Sequence, residues 1–353
     1  MTTTTRPGSG SVLITGANGG FGCGIVSKMV STPELAVYHG IYTTRDGSSA
    51  PALKTALASA TAKSHSHEVL SLDLSRLASV REVAAGINAR VASGKLPPIR
   101  ALILNAAYND LGQQAFTEDG FDMGFAATYL GHWLLTLLLL QSMDRQHGRV
   151  VVVGGSSYDV HHPIHKLGGY YKDKKWQTLI NGDSIDAVAE GTWSSNNDDA
   201  PSKAGVRRYG AAKMCAVMML LELQKRLDAD PALSSLSVVG IDPGSMATGI
   251  VRRGDWFTRT VLFPVVVPAL APVMAWSGNP TPTFRSVSRS ADDLLSAAFD
   301  SDPARLRGRY LDGSQLKDVS PEAADEAKRA VVWRDSVKYT HLTSGDTMLV
   351  NWA

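Results

Sequence analysis

The chain has 353 residues, 44% hydrophobic and 19% charged, so it carries enough apolar side chains for a large core and lacks the composition of a disordered protein. Lys and Arg number 35 against 33 Asp and Glu, and no run of five like charges occurs, which excludes the electrostatic footprint of a nucleic-acid binder and favours small-molecule chemistry. The two cysteines, Cys23 and Cys215, sit far apart and outside any Cys-x-x-Cys or His-rich spacing, as free thiols of a reducing, cytoplasmic compartment would.

Residues 1–10 are mostly Thr, Gly and Ser, without the basic and apolar regions of a secretory signal, and read as a disordered tail before one catalytic domain over 11–353. Strand-like apolar runs follow at Ser11 to Thr15, Val37 to Thr43, Glu68 to Leu72, Arg100 to Leu104, Arg149 to Val153 and Leu236 to Ile241. Between them Phe21 to Ser31, Leu77 to Val91, Phe121 to Met143 and Val206 to Leu227 carry helical spacing. Strands alternating with helices predict an α/β fold, a doubly wound parallel sheet whose strand ends face a common ligand crevice. The stretch 158–205, rich in Gly, Asp, Ser, Asn and Lys, breaks this rhythm as a long insertion, functional or partly disordered. Residues 250–289 read as a C-terminal substrate lid. Their apolar part, Val261 to Trp276, is interrupted by Pro264, Pro268 and Pro272 and is too short and broken to span a bilayer, so no transmembrane segment is expected. A helix near Ser290 to Phe299, a short strand at Arg309 to Leu311 and a helix near Pro321 to Lys338 complete the chain.

The segment Val12-Leu13-Ile14-Thr15-Gly16-Ala17-Asn18-Gly19-Gly20-Phe21-Gly22 is an apolar strand followed at once by a glycine-rich turn and a helix. Gly16, Gly20 and Gly22 allow a tight turn and close approach to a pyrophosphate, whose charge the free N–H groups of the helix start would meet. This Thr-Gly-x-x-x-Gly-x-Gly spacing resembles that of the short-chain dehydrogenase/reductase family, whose members have a Rossmann fold. Further matches come in the family's order. Asp73-Leu74 is similar to the pair that meets the adenine, Asn105-Ala106 resembles the turn beneath the adenosine, and Pro243-Gly244-x-x-x-Thr248 is similar to the segment at the nicotinamide amide. Thr43-Thr44-Arg45 ends the second strand, where NAD users have an acid for the ribose 2′-OH. Arg45 there implies NADP(H) over NAD(H), with the neighbouring Asp46 as the contrary signal.

Carbonyl reduction needs an acid for the developing alkoxide and a fixed dipole beside it. The resemblance implies that Tyr-x-x-x-Lys and an upstream Ser supply them, the lysine lowering the tyrosine's pKa and holding the ribose. The pattern occurs three times: Tyr170 with Lys174, Tyr171 with Lys175, and Tyr209 with Lys213. The first two lie in Gly-rich sequence close to Asn181-Gly182 and read as solvated loop residues. Tyr209-Gly210-Ala211-Ala212-Lys213 opens a long apolar helix, with small residues where a cofactor would approach, so Tyr209 and Lys213 are the expected pair. Val150 to Val153 ends in Gly154-Gly155-Ser156-Ser157, and Ser157 is the expected carbonyl-binding hydroxyl, with Ser156 as the alternative. Thr128-Tyr129-Leu130-Gly131-His132 resembles the Asn-x-x-Gly-His segment of the retinol-dehydrogenase and protochlorophyllide-reductase-like branch, but Thr128 stands where Asn is usual. That departure puts the proton relay behind Lys213 in question and leaves a non-catalytic NADPH-binding regulator as an alternative, beside reduction of a conjugated C=C bond. A partner-binding role for the insertion is a third reading. His161, His162 and His165 lack a completing ligand set, and no metal site is expected.

The insertion, Arg207-Arg208 before Tyr209, and Gly308-Arg309-Tyr310-Leu311 resemble fungal members of this branch that serve secondary metabolism. The resemblance implies an NADPH-dependent ketone or aldehyde reductase, or the reverse alcohol dehydrogenase. The aromatic and aliphatic content of the lid suggests a bulky apolar carbonyl substrate. Homo-oligomers in the family pair through helices corresponding to Leu134 to Leu140 and Met214 to Leu223, although those faces could equally pack on the sheet.

Overall fold

A computed structural model describes residues 10–58, 65–249, 279–300 and 302–353. The expected tail, up to residue 9, and residues 250–278 of the expected lid lie outside the described residues.

Eight strands form one sheet in the order β3-β2-β1-β4-β5-β6-β7-β8. They are β1 (Ser11–Ile14), β2 (His39–Thr44), β3 (His67–Ser71), β4 (Ile99–Leu104), β5 (Arg149–Val153), β6 (Ser237–Asp242), β7 (Arg309–Asp312) and β8 (Gln315–Lys317). Neighbours from β3 to β7 pair in parallel, and β8 returns antiparallel to β7. The order reverses between β1 and β4, so their connections leave on opposite faces and open a crevice at the strands' C-terminal ends. The apolar runs of β1, β5 and β6 are continuous, not alternating, because both faces are covered.

One face carries α1 (Gly20–Ser31), α3 (Pro51–Ala58) and the helix Val287–Phe299, which meet the sheet through residues such as Ile14, Ile25, Val151 and Leu294. Between α1 and β2 lies the short α2 (Pro33–Ala36). The other face carries α4 (Leu77–Ala92), α5 (Met123–Phe125), a π-turn at Ala126–Leu130, α6 (Gly131–Leu139) and a long helix ending at Ala229. The run Met123–Ser142 is apolar and long enough to cross a bilayer by length and composition, but 89% of its apolar 18-residue window is buried within the fold. Leu134 to Leu140 and Met214 to Leu223, the half-buried Leu221 apart, are buried in the same way against the chain's own core.

The insertion is ordered. It contains α7 (Pro163–Gly168) and α8 (Asp186–Ala189), and it buries Trp176, Leu179, Ile180, Ile185 and Val188. The backbone amides of Leu179 and Ile180 donate to the Glu322 carboxylate, and that of Ile185 donates to Asp335. Carboxylates from the C-terminal segment thus hold a stretch whose composition alone suggested a loop. The catalytic-helix candidate, α9 (Pro201–Ala229), starts five residues before the apolar periodicity does, because Pro201 occupies its first turn. The final helical region is two helices, Pro321–Ala324 and Glu326–Thr340, with Asp325 capping the second through Lys328 N.

Candidate functional site

The crevice beside the switch point is a cavity of about 450 Å³. Gly16, Asn18, Gly20, Gly22, Arg45, Asp73, Leu74, Asn105, Ala106 and Thr248 line it, joined by Asp46, Ala107, Tyr108 and Ala127. Two glycines of the turn after β1 are required by crowding, Gly16 against the turn after β4 and Gly22 within its own turn. Gly16 has φ +65°, and a Cβ there would meet Ala106 Cα at 2.9 Å; one on Gly22 would meet the Gly16 carbonyl at 2.3 Å. Helix α1 starts with no side-chain cap and no acid in its first turn, so its N–H groups and the positive end of its dipole remain available to an anion. Asn18 is partly engaged: its Oδ1 accepts from Leu53 N at 3.0 Å and ties the turn to α3.

At the far end of the cavity Arg45 is exposed. Asp46, the contrary signal in the sequence, is turned back on its own loop, where its Oδ1 accepts from Ser48 N at 2.9 Å and Ser48 Oγ at 2.6 Å. These bonds engage one of its two oxygens and hold its carboxyl below the usual range, in the charged form. Asp73 similarly caps Ser75 with one oxygen while lining the cavity. These residues fit a dinucleotide with an additional phosphate: free helix amides for one anion, a free guanidinium for another.

A buried chain of polar groups stands behind the cavity. His132 Nε2 lies 2.8 Å from Thr15 Oγ1, and its Nδ1 lies 3.1 Å from the Thr128 carbonyl. A carbonyl only accepts, so Nδ1 carries the proton and the Thr15 hydroxyl donates to Nε2. Thr15 Oγ1 then accepts from Asn105 N at 2.9 Å and Ala106 N at 3.0 Å, while Asn105 Nδ2 donates to the Thr15 carbonyl at 2.8 Å. Burial drives the His132 pKa down to about 3, so the ring is neutral and the tautomer is fixed. Thr128 has its own use: its hydroxyl accepts from Tyr108 N at 3.0 Å and holds the cavity wall. The sequence motif contained Thr15 and His132, but only their spatial meeting shows this role.

On α9, Lys213 is 2% exposed and its Nζ donates to the carbonyl of Val153, the last residue of β5, at 2.6 Å. Tyr209 lies one turn earlier, its ring centroid 5.7 Å from that Nζ. Ser157 sits in the 3₁₀ turn Ser156–Tyr158, directly against α9; a Cβ on Gly210 would meet the Ser157 carbonyl at 2.6 Å and the Tyr171 hydroxyl at 2.5 Å. Gly210 is therefore small to admit this turn and Tyr171, not a cofactor. The alternative serine, Ser156, has its carbonyl occupied by His165 Nε2 at 3.2 Å.

The expectation that Lys213 depresses the Tyr209 pKa is not met in this arrangement. Burial pushes the phenol up, with the Asp242 carboxylate adding to the effect, while the ammonium is aimed at Val153. Burial also lowers Lys213 to about 8, opposed by Asp242. Asp242 ends β6, is 4% exposed and accepts from Gly244 N at 2.8 Å. Pro243, Gly244, Tyr209 and Lys213 do not line the 450 Å³ cavity. Pro243 instead accepts from Ser290 Oγ, Gly244 has φ +74° beneath Arg285, and Thr248 packs over Gly20. Of the expected lid, Thr283 and Arg285 pair with Ser245 beside this turn.

The rival pairs do not converge. Lys174 and Lys175 are exposed, and Lys175 stacks on Trp176 at 4.4 Å and reaches Asp198. Their tyrosines are not solvated as expected: Tyr171 is 6% exposed and packs beside Gly210, and Tyr170 is half-buried. Among the described residues no group of three His, Cys, Asp or Glu is placed to hold a metal. His162 caps α7 and His165 supports the serine turn.

A family model described as short chain dehydrogenase matches residues 11–170. The chain is 44% identical to the short-chain dehydrogenase iccH of Talaromyces variabilis, over 97% of this chain and 99% of that protein. It is 30% identical to protochlorophyllide reductase A of Arabidopsis thaliana, over 94% of this chain and 77% of that one. Similar solved structures include the angucycline C-6 ketoreductase LanV with bound NADP, at TM-score 0.56 and 16% identity over 86% of this chain and 95% of LanV. Another is a Burkholderia cenocepacia short chain dehydrogenase in complex with NADP, at TM-score 0.56 and 14% identity over 87% and 97%. The structural likenesses carry the fold, and the near-full-length sequence identity carries the family: the chain belongs to the short-chain dehydrogenases and is an oxidoreductase.

Proposed function

We propose that the chain is an NADPH-dependent carbonyl reductase, or the reverse alcohol dehydrogenase, acting on a bulky apolar substrate of secondary metabolism. The observation that carries this reading is the meeting, at the C-terminal end of β5, of Lys213 on Val153 with Tyr209 one turn away and the Ser157 turn packed on Gly210. NADPH as the cofactor is supported by the exposed Arg45 and the self-engaged Asp46, and by the bound NADP of LanV and the Burkholderia protein. Similarity to iccH of a fungus supports the metabolic setting, and the aromatic and aliphatic residues of 256–276 support the substrate class.

When bound, NADPH supplies the hydride that reduces the carbonyl carbon. The chain's own residues handle the oxygen. Ser157 Oγ donates a hydrogen bond to it, and Tyr209 Oη delivers the proton that completes the alcohol. Lys213, charged at neutral pH by its value of about 8, stabilises the phenolate left behind and would hold the ribose hydroxyls. The Gly16–Gly22 turn and α1 would hold the pyrophosphate, Arg45 the 2′-phosphate, Asp73-Leu74 the adenine, and Asn105-Ala106 the adenosine face. Pro243, Gly244 and Thr248 would hold the nicotinamide side.

NADPH oxidation measured against a panel of ketones, aldehydes and enones tests this. Turnover with bulky ketones or aldehydes supports the reading. Tight NADPH binding without turnover on any of them would favour a regulator, and turnover on enones alone would favour C=C reduction.

A further inference from the structure

Arg208 immediately precedes Tyr209 on α9 and is 5% exposed. A guanidinium this deep must be paired. Its Nη2 meets Asp110 Oδ2 at 2.7 Å and its Nε forms an ion pair with Asp122 Oδ2 at 3.3 Å. Its Nη1 donates to the Ser194 carbonyl at 2.7 Å and to Asn196 Oδ1 at 3.1 Å. Both acids are buried, and Asp122 also caps α5 through Gly124 N and Phe125 N. One side chain therefore joins the catalytic helix, the insertion and the segment after β4.

That last segment is the wall of the dinucleotide cavity. Tyr108 lines it, is held by Thr128, and lies two residues before Asp110. Helix α9 approaches the wall closely: a Cβ on Gly205 would lie 2.4 Å from Asp110 Oδ1 and 3.0 Å from Leu111 N, and Leu111 is held at φ +42°. Arg207 points elsewhere. It is fully buried, donates to Ser194 Oγ, the Tyr170 carbonyl and Asp199, and lies over Trp176 at 4.4 Å, so its partners all belong to the insertion.

We propose that Arg208, clamped by Asp110 and Asp122, is the positioning residue for Tyr209, fixing the rotation and height of α9 against the cavity wall. The proposal rests on the reading of Tyr209 as the proton donor. A displacement on the order of 1 Å at a reacting group costs up to about 100-fold in rate, so a residue acting through Tyr209 shows in kcat and not in cofactor affinity.

The test compares Asp110→Asn, which keeps shape and removes one charge of the clamp, with Arg207→Met, which cuts the insertion's own brace. Steady-state kinetics, NADPH affinity, Tm and amide exchange of residues 206–213 in the NADPH complex are measured for each. For Asp110→Asn the expected result is a kcat loss of about 10-fold or more, with KM and NADPH Kd within about 2-fold, and Arg208→Lys falling between it and wild type. For Arg207→Met it is a lower Tm with kcat largely kept. Unchanged kcat in Asp110→Asn, or kcat losses in both variants that simply follow Tm, overturns the proposal. If wild type reduces no carbonyl, the functional reading fails separately and the clamp is judged by exchange. Faster exchange across 206–213 in Asp110→Asn than in Arg207→Met supports it, and equal exchange overturns it.

Discussion

The glycine-turn cavity and α9, the proposed catalytic helix, face the same strand ends but treat charge in opposite ways. Around the cavity, polar groups are left available: Arg45 is exposed and α1 begins without a cap. Along α9, every charge near the chemistry is buried and paired, with Lys213 on Val153 and Arg208 on Asp110 and Asp122. A group that must meet a ligand's charge stays free, whereas a group that must hold geometry is paid for in desolvation and locked.

The largest effect expected on this contrast is at the helix. Tyr209→Phe removes the proposed proton donor without touching the cavity, so kcat for reduction should fall about 10²–10⁴-fold with NADPH Kd unchanged, measured by stopped-flow absorbance and fluorescence titration. Next comes the charge on Lys213. Because its conjugate acid titrates near 8, kcat should fall as pH rises through that value, and in Asp242→Asn the fall should begin at lower pH, since the lost carboxylate favours the ammonium. The stability sign is the reverse. Between about 8 and the ordinary lysine value Lys213 is protonated in the unfolded chain and not in the folded one, so its own contribution to stability rises with pH by roughly 3 kcal/mol, while the buried Cys215 and Tyr209, which burial pushes up, contribute with the opposite sign; the stability advantage of Lys213→Met over wild type in denaturant titrations should therefore shrink across that window.

Effects at the cavity should be smaller and specific to the ligand. Arg45→Ala should weaken NADPH about 10–100-fold, the worth of a charge-assisted contact, and leave NADH nearly unaffected. Equal losses for both cofactors would mean that Arg45 supports the loop and not a phosphate. Smallest is Thr128→Ala, which removes the hydroxyl bond to Tyr108 and should cost about 1 kcal/mol of stability with a few-fold loss in NADPH affinity.

The same contrast governs what the sequence could reveal. The six parallel strands up to β6 fall within about two residues of their predicted bounds; β1, β5 and β6 are buried on both faces and so are written as continuous apolar runs, whereas the edge strand β3 is only half-buried and was found from its short apolar core. The cavity was visible for a related reason: its turn is local, and Gly16 and Gly22 are needed by neighbours a few residues away or on the adjoining turn. The brace around α9 was not visible. Asp110 and Arg208 are 98 positions apart, and Glu322 and Asp335 order the insertion from the far end of the chain. Such pairings leave no periodicity, so the insertion's polar composition read as a loop and Tyr171 as solvated. The antiparallel β8 was missed because three residues, two of them exposed, carry no pattern.

Single-turnover NADPH oxidation in Tyr209→Phe, Tyr170→Phe and Tyr171→Phe, each first shown to bind NADPH, decides which of the three Tyr-x-x-x-Lys pairs does the chemistry. Loss of turnover in Tyr209→Phe alone, with Tyr170→Phe near wild type and Tyr171→Phe only moderately slowed through its packing on Gly210, is the result expected. Retained turnover in Tyr209→Phe, or its abolition in Tyr170→Phe, would mean that Tyr209 is not the proton donor.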